Sequence, residues 1–419
     1  MAEPILATYL IESPLPPAQA AEKLAGIVSA GTFTAVPGET AELRRRFNAT
    51  VEAVEPLDEV AWPSLPYWTA PAVPTPHRRA RVTIALPSEL AGTELTGLLA
   101  VAAGGAFELR EASAVRLLDL ALPAWFGAAH PGPQFGVDGT RRLTGVYDRP
   151  IVASIIKPNV GLLPEQTAAI VAELAEAGVD FIKDDEKLTS PPYSPLERRA
   201  AAVMRVLNGH ADRTGKRVMF AFNISSDDPE EMVRRHDAVL ALGATCVMVS
   251  INQIGFGAFN YLRRRCALPI HAHRNGWGML TRCPHLGLGF AAYQKLWRLA
   301  GVDHLHVNGI RNKYWEPDES VVAAVRACLT PLYRDTDRIM PVAGSGMWAG
   351  QAPETYQRTG AVDLIYIAGG GIQGHPAGPG AGVRSIRQAW EAALAGVGLD
   401  EYAATHLELQ QAIEHFGRK

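Results

Sequence analysis

The chain has 419 residues, of which 47% are hydrophobic and 20% charged, and its formal net charge is −3. This composition is typical of a folded globular protein long enough for two domains, and the absence of a basic run argues against nucleic acid as a partner. No apolar run reaches the about 18 residues of a membrane span, and the start lacks a signal-peptide pattern, so we expect a cytoplasmic protein without membrane contact. The four cysteines have no C-x-x-C spacing, which predicts reduced thiols.

The first part of the chain predicts an α+β domain. The elements, in chain order, are a strand at Ile5–Ile11, a helix at Pro17–Ser29, strands at Ala49–Val54 and Arg79–Leu86, a helix near Glu94–Ala103 and a strand at Val115–Leu122. Proline recurs without periodicity between Pro56 and His77, which predicts a loop. The order β-α-β-β-α-β suits a ferredoxin-like domain, which we expect to span residues 1–140.

From Arg149 onward short apolar strands alternate with helical stretches such as Pro164–Ala177 and Pro229–Leu242. The strands are predicted at Ile151–Ile156, Val179–Lys183, Arg217–Asn223, Cys246–Ile251, Leu268–His273, His304–Val307, Ile339–Ala343 and Val362–Ala368. Eight strand–helix units in about 250 residues match the size of a (β/α)8 TIM barrel, which we expect over residues 141–419. A doubly wound sheet is the alternative fold.

Polar residues and glycines follow the predicted barrel strands at the ends where active sites of such barrels lie. They are Lys157 after the first strand, Lys183, Asp185 and Glu186 after the second, His273 and Arg274 after the fifth, His306 after the sixth, Gly344-Ser345-Gly346 after the seventh and Gly369-Gly370-Gly371 after the eighth. Because the carboxyl ends of all strands open on one face, this pattern predicts a single site there.

An apolar strand is followed directly by charged residues in the stretch from Gly178 to Leu188, which reads G-V-D-F-I-K-D-D-E-K-L. Strand alternation makes Lys183 and Asp185 point the same way, and Glu186 follows, so two carboxylates could bind a hard cation. An ammonium cannot be a metal ligand, but a carbamate formed from Lys183 and CO2 would add an anionic oxygen donor suited to Mg2+. The alternative is that the lysine only neutralises its acidic neighbours.

The remaining candidates also have two interpretations. Bare glycine amides after the seventh and eighth strands suit a phosphate, or they serve only as tight turns. Arg274 could pair a second anionic group bidentately, whereas His271, His273 or His306 taken singly could be structural. Lys157 could act as a general base if its pKa falls, and a surface lysine is the alternative.

Several motifs carry a family resemblance over nearly the whole chain. They are G-T-F-T at Gly31–Thr34, V-R-L-L-D-L-A-L-P at Val115–Pro123, G-P-Q-F-G at Gly132–Gly136, S-I-I-K-P at Ser154–Pro158, F-I-K-D-D-E at Phe181–Glu186, H-A-H-R at His271–Arg274, D-H-L-H at Asp303–His306 and G-G-G-I-Q-G-H-P at Gly369–Pro376. In this order they resemble segments of the RuBisCO large chain and of the RuBisCO-like (form IV) proteins.

The resemblance implies an N-terminal α+β domain, a C-terminal barrel and a homodimer whose sites borrow the partner's N-terminal domain. It implies Mg2+ bound by Asp185, Glu186 and a Lys183 that carries CO2 as a carbamate. We expect catalytic roles for Lys157, His273 and Lys313, and the resemblance places Lys313 on the flexible loop after the sixth strand. We expect a phosphorylated substrate to be bound by Thr32, Phe33, Arg274, His306, Ser345, Gly346, Gly369 and Gly370, and the resemblance implies that Thr32 and Phe33 reach a phosphate across the dimer.

The chain departs from the carboxylase pattern at four positions. Asn159 replaces the second lysine of I-K-P-K, Gly105 stands in place of a metal-facing asparagine, Ile27 in place of a glutamate, and Gly344 in place of a serine. The first three changes remove polar groups that would hold CO2 and its product, yet they leave Lys157 and the metal ligands. The resemblance therefore implies an enzyme that enolises a phosphorylated keto sugar or sugar acid without fixing CO2.

Within that class we favour carbon–carbon cleavage, as by a transcarboxylase/hydrolase of a branched keto-acid phosphate. One alternative is an enolase or isomerase of a methylthio-sugar phosphate in methionine salvage, but the salvage enolases typically carry a lysine at the position of Gly105. A catalytically silent regulatory protein is a further alternative, against which the retained metal ligands argue. A ribulose-bisphosphate carboxylase is the least favoured.

Overall fold

The computed structural model describes residues 2–31, 36–66 and 73–417. Two compact units are present, one formed by Met1–Pro131 with Gly276–Leu299 and the other by Gly132–Asn275 with Ala300–Lys419. The assignment of Gly276–Leu299 to the first unit was not expected, because a local pattern does not show which distant strand a segment joins. The predicted domain boundary between residues 140 and 141 stays a prediction.

The first unit contains a mixed sheet with helices. Its strands, labelled in chain order with those of the whole chain, are β1 (Ile5–Ser13), β2 (Thr50–Val60), β3 (His77–Leu86), β4 (Ala114–Ala121) and β10 (Leu286–Leu288). Its helices are α1 (Pro17–Ile27), α2 (Ala41–Phe47), α3 (Ser88–Ala91), α4 (Leu95–Leu99), α5 (Ala124–Ala128), α11 (Trp277–Thr281) and α12 (Phe290–Ala300). The strand order is β10-β4-β1-β3-β2, with β1 antiparallel to both β3 and β4. This order confirms the ferredoxin-like α+β domain.

Alternation along β1 explains the core of this unit. Ile5, Ala7, Tyr9 and Ile11 are buried at every second position. Two details differ from the predictions. The strand β2 continues past Pro56 to Val60 with an irregular register, as an edge strand permits. The three residues of β10 were not predicted, because so short a strand has no readable period.

The second unit is a closed barrel of eight parallel strands. They are β5 (Ile151–Ile155), β6 (Phe181–Lys183), β7 (Met219–Asn223), β8 (Cys246–Ser250), β9 (Ile270–His273), β11 (His304–His306), β12 (Met340–Ala343) and β13 (Ile365–Ala368). They follow one another around the barrel in chain order, and β13 pairs with β5 to close it. The TIM barrel is therefore confirmed, and the doubly wound alternative is wrong.

Helices connect the barrel strands. They are α6 (Gly136–Thr144), α7 (Pro164–Glu176), α8 (Leu196–Thr214), α9 (Pro229–Ala241), α10 (Ile251–Arg263), α13 (Asp318–Leu329), α14 (Ala352–Thr359), α15 (Gly370–Gln373), α16 (Gly378–Ala395), α17 (Leu399–Ala403) and α18 (Leu407–Phe416). The barrel interior is filled by side chains such as Phe181, Met219, Cys246, Met248 and Ile367, so Cys246 is a packing thiol. Within the described residues, no helix combines the length and apolar character that a membrane crossing requires.

Candidate active site

Lys183, the last residue of β6, has a fully buried side chain. Its Nζ donates to the backbone oxygen of Asp184 at 2.7 Å and lies 3.8 Å from Oε2 of Glu186. Burial lowers the pKa of this lysine, and the nearby carboxylates of Glu186 and Asp185 only partly oppose the effect. The neutral amine, which is the form that can attack CO2, is therefore more populated here than on a surface lysine.

The two carboxylates after β6 contact residues from other strands. Oδ2 of Asp185 accepts from Nδ2 of Asn159 and lies 3.5 Å from Nζ of Lys157. Oε2 of Glu186 lies 3.5 Å from Nε2 of His273, the last residue of β9. The barrel thus brings together predicted metal ligands and predicted catalytic residues from its first, second and fifth strands.

These contacts permit a test of whether the site suits Mg2+. Among the described residues, no three His, Cys, Asp or Glu side chains form a group that could hold a metal. Asp185 and Glu186 supply two carboxylates, the number that Mg2+ commonly uses beside water and substrate oxygens. A carboxylated Lys183 would add a third anionic oxygen donor, and in this respect the residues fit the cation.

Asp184 points to the opposite side of the strand and forms a buried ion pair with Arg199 of α8. Its Oδ2 accepts from Nη2 of Arg199 and from the backbone nitrogen of Asn223, both at 3.1 Å. Arg199 also donates to the backbone oxygens of Ser194 at 2.6 Å and Thr189 at 2.8 Å. This pair holds the loop that carries the predicted metal ligands. No feature of the sequence distinguished Arg199 from other helical arginines.

Lys157 follows β5 and lies between the acidic residues and the glycine loop. Its Nζ donates to Oδ1 of Asn159 at 2.8 Å. Burial lowers its pKa, with Asp185 opposing the shift. A Cβ on Gly369 would lie 2.6 Å from Cε of Lys157, so any larger residue at this position would displace the end of the lysine side chain.

The loops after β12 and β13 contain the predicted phosphate-binding residues. Gly370 is exposed, and among the described residues beyond its chain neighbours and its own helix no heavy atom comes within 4 Å of a Cβ built on it. Gly346 has φ +92°, and a Cβ there would approach Cβ of Lys313 to 3.2 Å. The backbone nitrogen of Lys313 donates to the oxygen of Ser345 at 3.0 Å, so these residues lie together. A Cβ on Gly344 would lie 2.9 Å from Cγ2 of Ile367, which leaves little room for serine.

Arg274 has an unexpected partner, Glu316, in the loop after β11. Its Nη2 donates to Oε2 of Glu316 at 2.7 Å, and both side chains are buried. Sequence reasoning missed Glu316, because its position before Pro317-Asp318 is typical of an ordinary helix start.

His306 lies at the end of a chain of buried histidines. Its Nε2 is 2.8 Å from Nε2 of His271, whose Nδ1 is 3.3 Å from Nδ1 of His304. Nε2 of His304 is 2.9 Å from Oγ1 of Thr140, which donates to the oxygen of Gly136 at 2.6 Å. Since the threonine proton is used, His304 donates to Thr140, His271 donates to His304, and His306 donates to His271. Sequence reasoning predicted His306 but not this order.

Burial keeps the histidines of the site uncharged. It lowers the pKa of His271 and of His306 well below the usual value, and neighbouring histidines add to the effect. The pKa of His273 falls to about 3, through burial and then the charge of Lys183. Nδ1 of His273 accepts from the backbone nitrogen of Asn275 at 3.1 Å, which leaves the Nε2 proton facing Glu186.

The first unit holds two of the departures from the carboxylase pattern. A Cβ on Gly105 would lie 3.1 Å from Cγ1 of Ile27, so the side chain of an asparagine at this position would press against the isoleucine. These two changes are therefore coupled by contact. The predicted phosphate-binding residues Thr32 and Phe33 lie outside the described residues.

Comparison with known families covers almost the whole chain. Residues 2–126 match the N-terminal domain of the ribulose bisphosphate carboxylase large chain, and residues 136–416 match its catalytic domain. The chain is 52% identical over 413 residues to 3-oxo-isoapionate-4-phosphate decarboxylase of Rhizobium etli, with 98% of each chain covered. It is 50% identical over 414 residues to 3-oxo-isoapionate-4-phosphate transcarboxylase/hydrolase of Xanthobacter autotrophicus, with 99% of each covered.

Solved structures of the same family superpose on this chain over nearly its whole length. A rubisco-like protein from Burkholderia fungorum superposes with a TM-score of 0.92 at 45% identity, over 99% of this chain and 100% of that one. The dimeric archaeal Rubisco from Hyperthermus butylicus gives a TM-score of 0.86 at 28% identity, over 100% of this chain and 96% of that one. The chain belongs to the ribulose bisphosphate carboxylase (RuBisCO) large-chain family, and it is a RuBisCO-like enzyme.

Proposed function

We propose that the enzyme cleaves a carbon–carbon bond in a phosphorylated branched 3-oxo acid and does not fix CO2. The observation that carries this proposal is the position of Asn159, which accepts a hydrogen bond from Lys157 at 2.8 Å and donates to Asp185. A neutral amide thus stands where a carboxylase has a second lysine for handling CO2. The base Lys157 stays in place. The relatives named for 3-oxo-isoapionate 4-phosphate support the substrate class.

The cofactor is proposed to be Mg2+, held by Asp185, Glu186 and Lys183 in its carbamate form. When bound, the cation would stabilise negative charge that develops on the keto oxygen of the substrate. His273 would orient Glu186 through its Nε2 proton, since these atoms lie 3.5 Å apart. The buried pair of Asp184 and Arg199 would keep the loop rigid while the charge changes.

Lys157 is proposed to move the proton. When the bond between the carboxyl carbon and its neighbour breaks, the electron pair stays on the carbon next to the ketone, and the carboxyl leaves as CO2. The ammonium of Lys157 then gives a proton to that carbon. A lowered pKa suits this role, because it makes the ammonium of Lys157 a better proton donor than an ordinary lysine.

The phosphate is proposed to lie against the amides of Gly369 and Gly370 and beside Ser345 and Gly346. Lys313 would cover it, since its backbone already contacts the loop after β12. Thr32 and Phe33 of the partner subunit would complete the site in a homodimer. The dimeric Rubisco among the structural neighbours supports this assembly, and a cytoplasmic location is part of the same proposal.

The experiment uses 3-oxo-isoapionate 4-phosphate with a 13C-labelled carboxyl group, followed by NMR in the presence of Mg2+ and bicarbonate. Decarboxylation releases the label as CO2, whereas transcarboxylation with hydrolysis keeps it in an organic acid. Ribulose 1,5-bisphosphate with labelled bicarbonate is the control and should give no carboxylated product. Fixation of label in that control would contradict the proposal. So would turnover of a methylthio-sugar phosphate alone, which would favour the salvage alternative.

A further inference from the structure

The buried carboxylate of Glu316 lies at the carboxyl-terminal end of the barrel strands. It lies in the loop between β11 and α13, and its side chain is 1% exposed. Oε2 accepts from Nη2 of Arg274 at 2.7 Å and from Nδ2 of Asn308 at 2.5 Å, and Oε1 accepts from Oγ of Ser320 at 3.1 Å. Both oxygens are therefore satisfied, and one partner is a cation.

Arg274 belongs to the active-site side of the barrel. It follows His273 directly, and Nε2 of His273 lies 3.5 Å from the predicted metal ligand Glu186. Two strands, β11 and β12, separate β9 from β13, so Arg274 and the amides of Gly369 and Gly370 lie on different sides of the mouth. A substrate with one phosphate on the glycine amides would extend its other end toward Arg274.

We propose that Glu316 determines substrate specificity by occupying the guanidinium that would otherwise receive a second phosphate. This inference rests on the proposed function and deepens it, because it names the residue that would exclude a second phosphate from the site. An unpaired arginine would add one positive charge at this end, whereas the ion pair adds none. A second phosphate would lie beside a buried carboxylate, where water screens the repulsion poorly.

The variant Glu316→Gln separates the charge of this residue from its hydrogen bonds. The glutamine oxygen can still accept from Arg274 and Asn308, and its amide can donate to the hydroxyl of Ser320. This matters because Asn308 also accepts from Oγ of Ser345 at 2.6 Å, so the same network links the loops after β11 and β12. Glu319→Gln is the matched control, since Glu319 is 85% exposed and loses the same charge outside the site.

The test is calorimetric titration of the full-length protein, with Mg2+ and bicarbonate, against ribulose 5-phosphate and ribulose 1,5-bisphosphate. These ligands share one carbon chain and differ by one phosphate. The parent protein should bind the monophosphate at least about tenfold more tightly, and Glu316→Gln should tighten bisphosphate binding about tenfold with little change for the monophosphate. Glu319→Gln should behave as the parent does.

Equal binding of both ligands by the parent protein would overturn the inference alone, and this comparison needs no variant. An unchanged ratio in Glu316→Gln, equal to that of Glu319→Gln, would overturn it as well. Binding of neither ligand by the parent would overturn the proposed phosphate site, and with it this inference.

Discussion

Nζ of Lys183 and Oε2 of Glu186 lie 3.8 Å apart at the end of β6, with the lysine side chain entirely shielded from water. A lysine in this position is costly to keep charged, because burial removes its hydration. Conversion to a carbamate would instead create an anion beside two carboxylates, and that arrangement requires a cation. Formation of the carbamate from CO2 and binding of Mg2+ should therefore favour each other at this site.

Replacement of Lys183 by alanine should abolish Mg2+ binding, since Asp185 and Glu186 would then lack the third donor. Titration calorimetry with saturating bicarbonate measures this loss, and a 13C carbamate signal should appear in the parent protein only. Lys187→Met is the control. Its Nζ lies 3.8 Å from Oδ1 of Asp185 but is on the surface, so Mg2+ binding should be kept. Tight Mg2+ binding by Lys183→Ala would refute the carbamate.

The variant Lys157→Met should lose exchange of the substrate's α-proton with deuterated water. Removal of a general base costs about 10²–10⁴-fold in rate. Phosphate binding should survive, because the amides of Gly369 and Gly370 are unchanged. NMR follows the exchange, and calorimetry with the same ligand follows the binding. Unaltered exchange would move the role of base to another group, with His273 the next candidate.

Arg199→Met should destabilise the barrel by about 3–5 kcal/mol, because it leaves the carboxylate of Asp184 buried without its cation. Denaturant unfolding measures the change in free energy. Arg198→Met, one residue away, is the control, since Arg198 is 70% exposed and its contact with Glu165 spans 3.6 Å. We expect less than about 0.5 kcal/mol there. Similar losses in both variants would contradict a special role for the buried pair.

Acid should destabilise the protein through the histidine chain. Burial lowers the pKa of His304 from the usual 6.5 to about 3, so between these values the unfolded chain binds more protons than the folded one. The stability gained by keeping His304 neutral in the folded protein is fully present above about pH 6.5 and is lost as the pH falls toward 3. His304→Gln should therefore reduce the slope of stability between pH 4 and 6 by about 1.4 kcal/mol per pH unit.

Denaturant unfolding at several pH values gives this slope. His415→Gln, at an exposed position of α18, should leave it unchanged. An unchanged slope in His304→Gln would mean that His304 already carries a proton in the folded protein.

The barrel and its strands could be predicted because each strand is a short apolar run that has to be buried on both faces. All eight predicted strands are present, with ends that differ by up to three residues, as at Val362 against Ile365. The same alternation of strands and helices predicted that Lys157, Lys183 and His273 lie at one end of the barrel, since parallel strands share a direction. Helix α2 and strand β10 escaped prediction because they are short.

The sequence by itself therefore determined that the chain contains an α+β fold and a barrel, to which family it belongs, and on which strand ends the candidate catalytic residues lie. These properties depend on local periodicity and on motifs that stand together in the chain. Only the tertiary structure decided that Arg274 pairs with Glu316, that Arg199 pairs with Asp184, and that the histidines form a directed chain. Such pairings join residues distant in sequence, and their partners are selected by burial and geometry, for which local sequence carries no pattern.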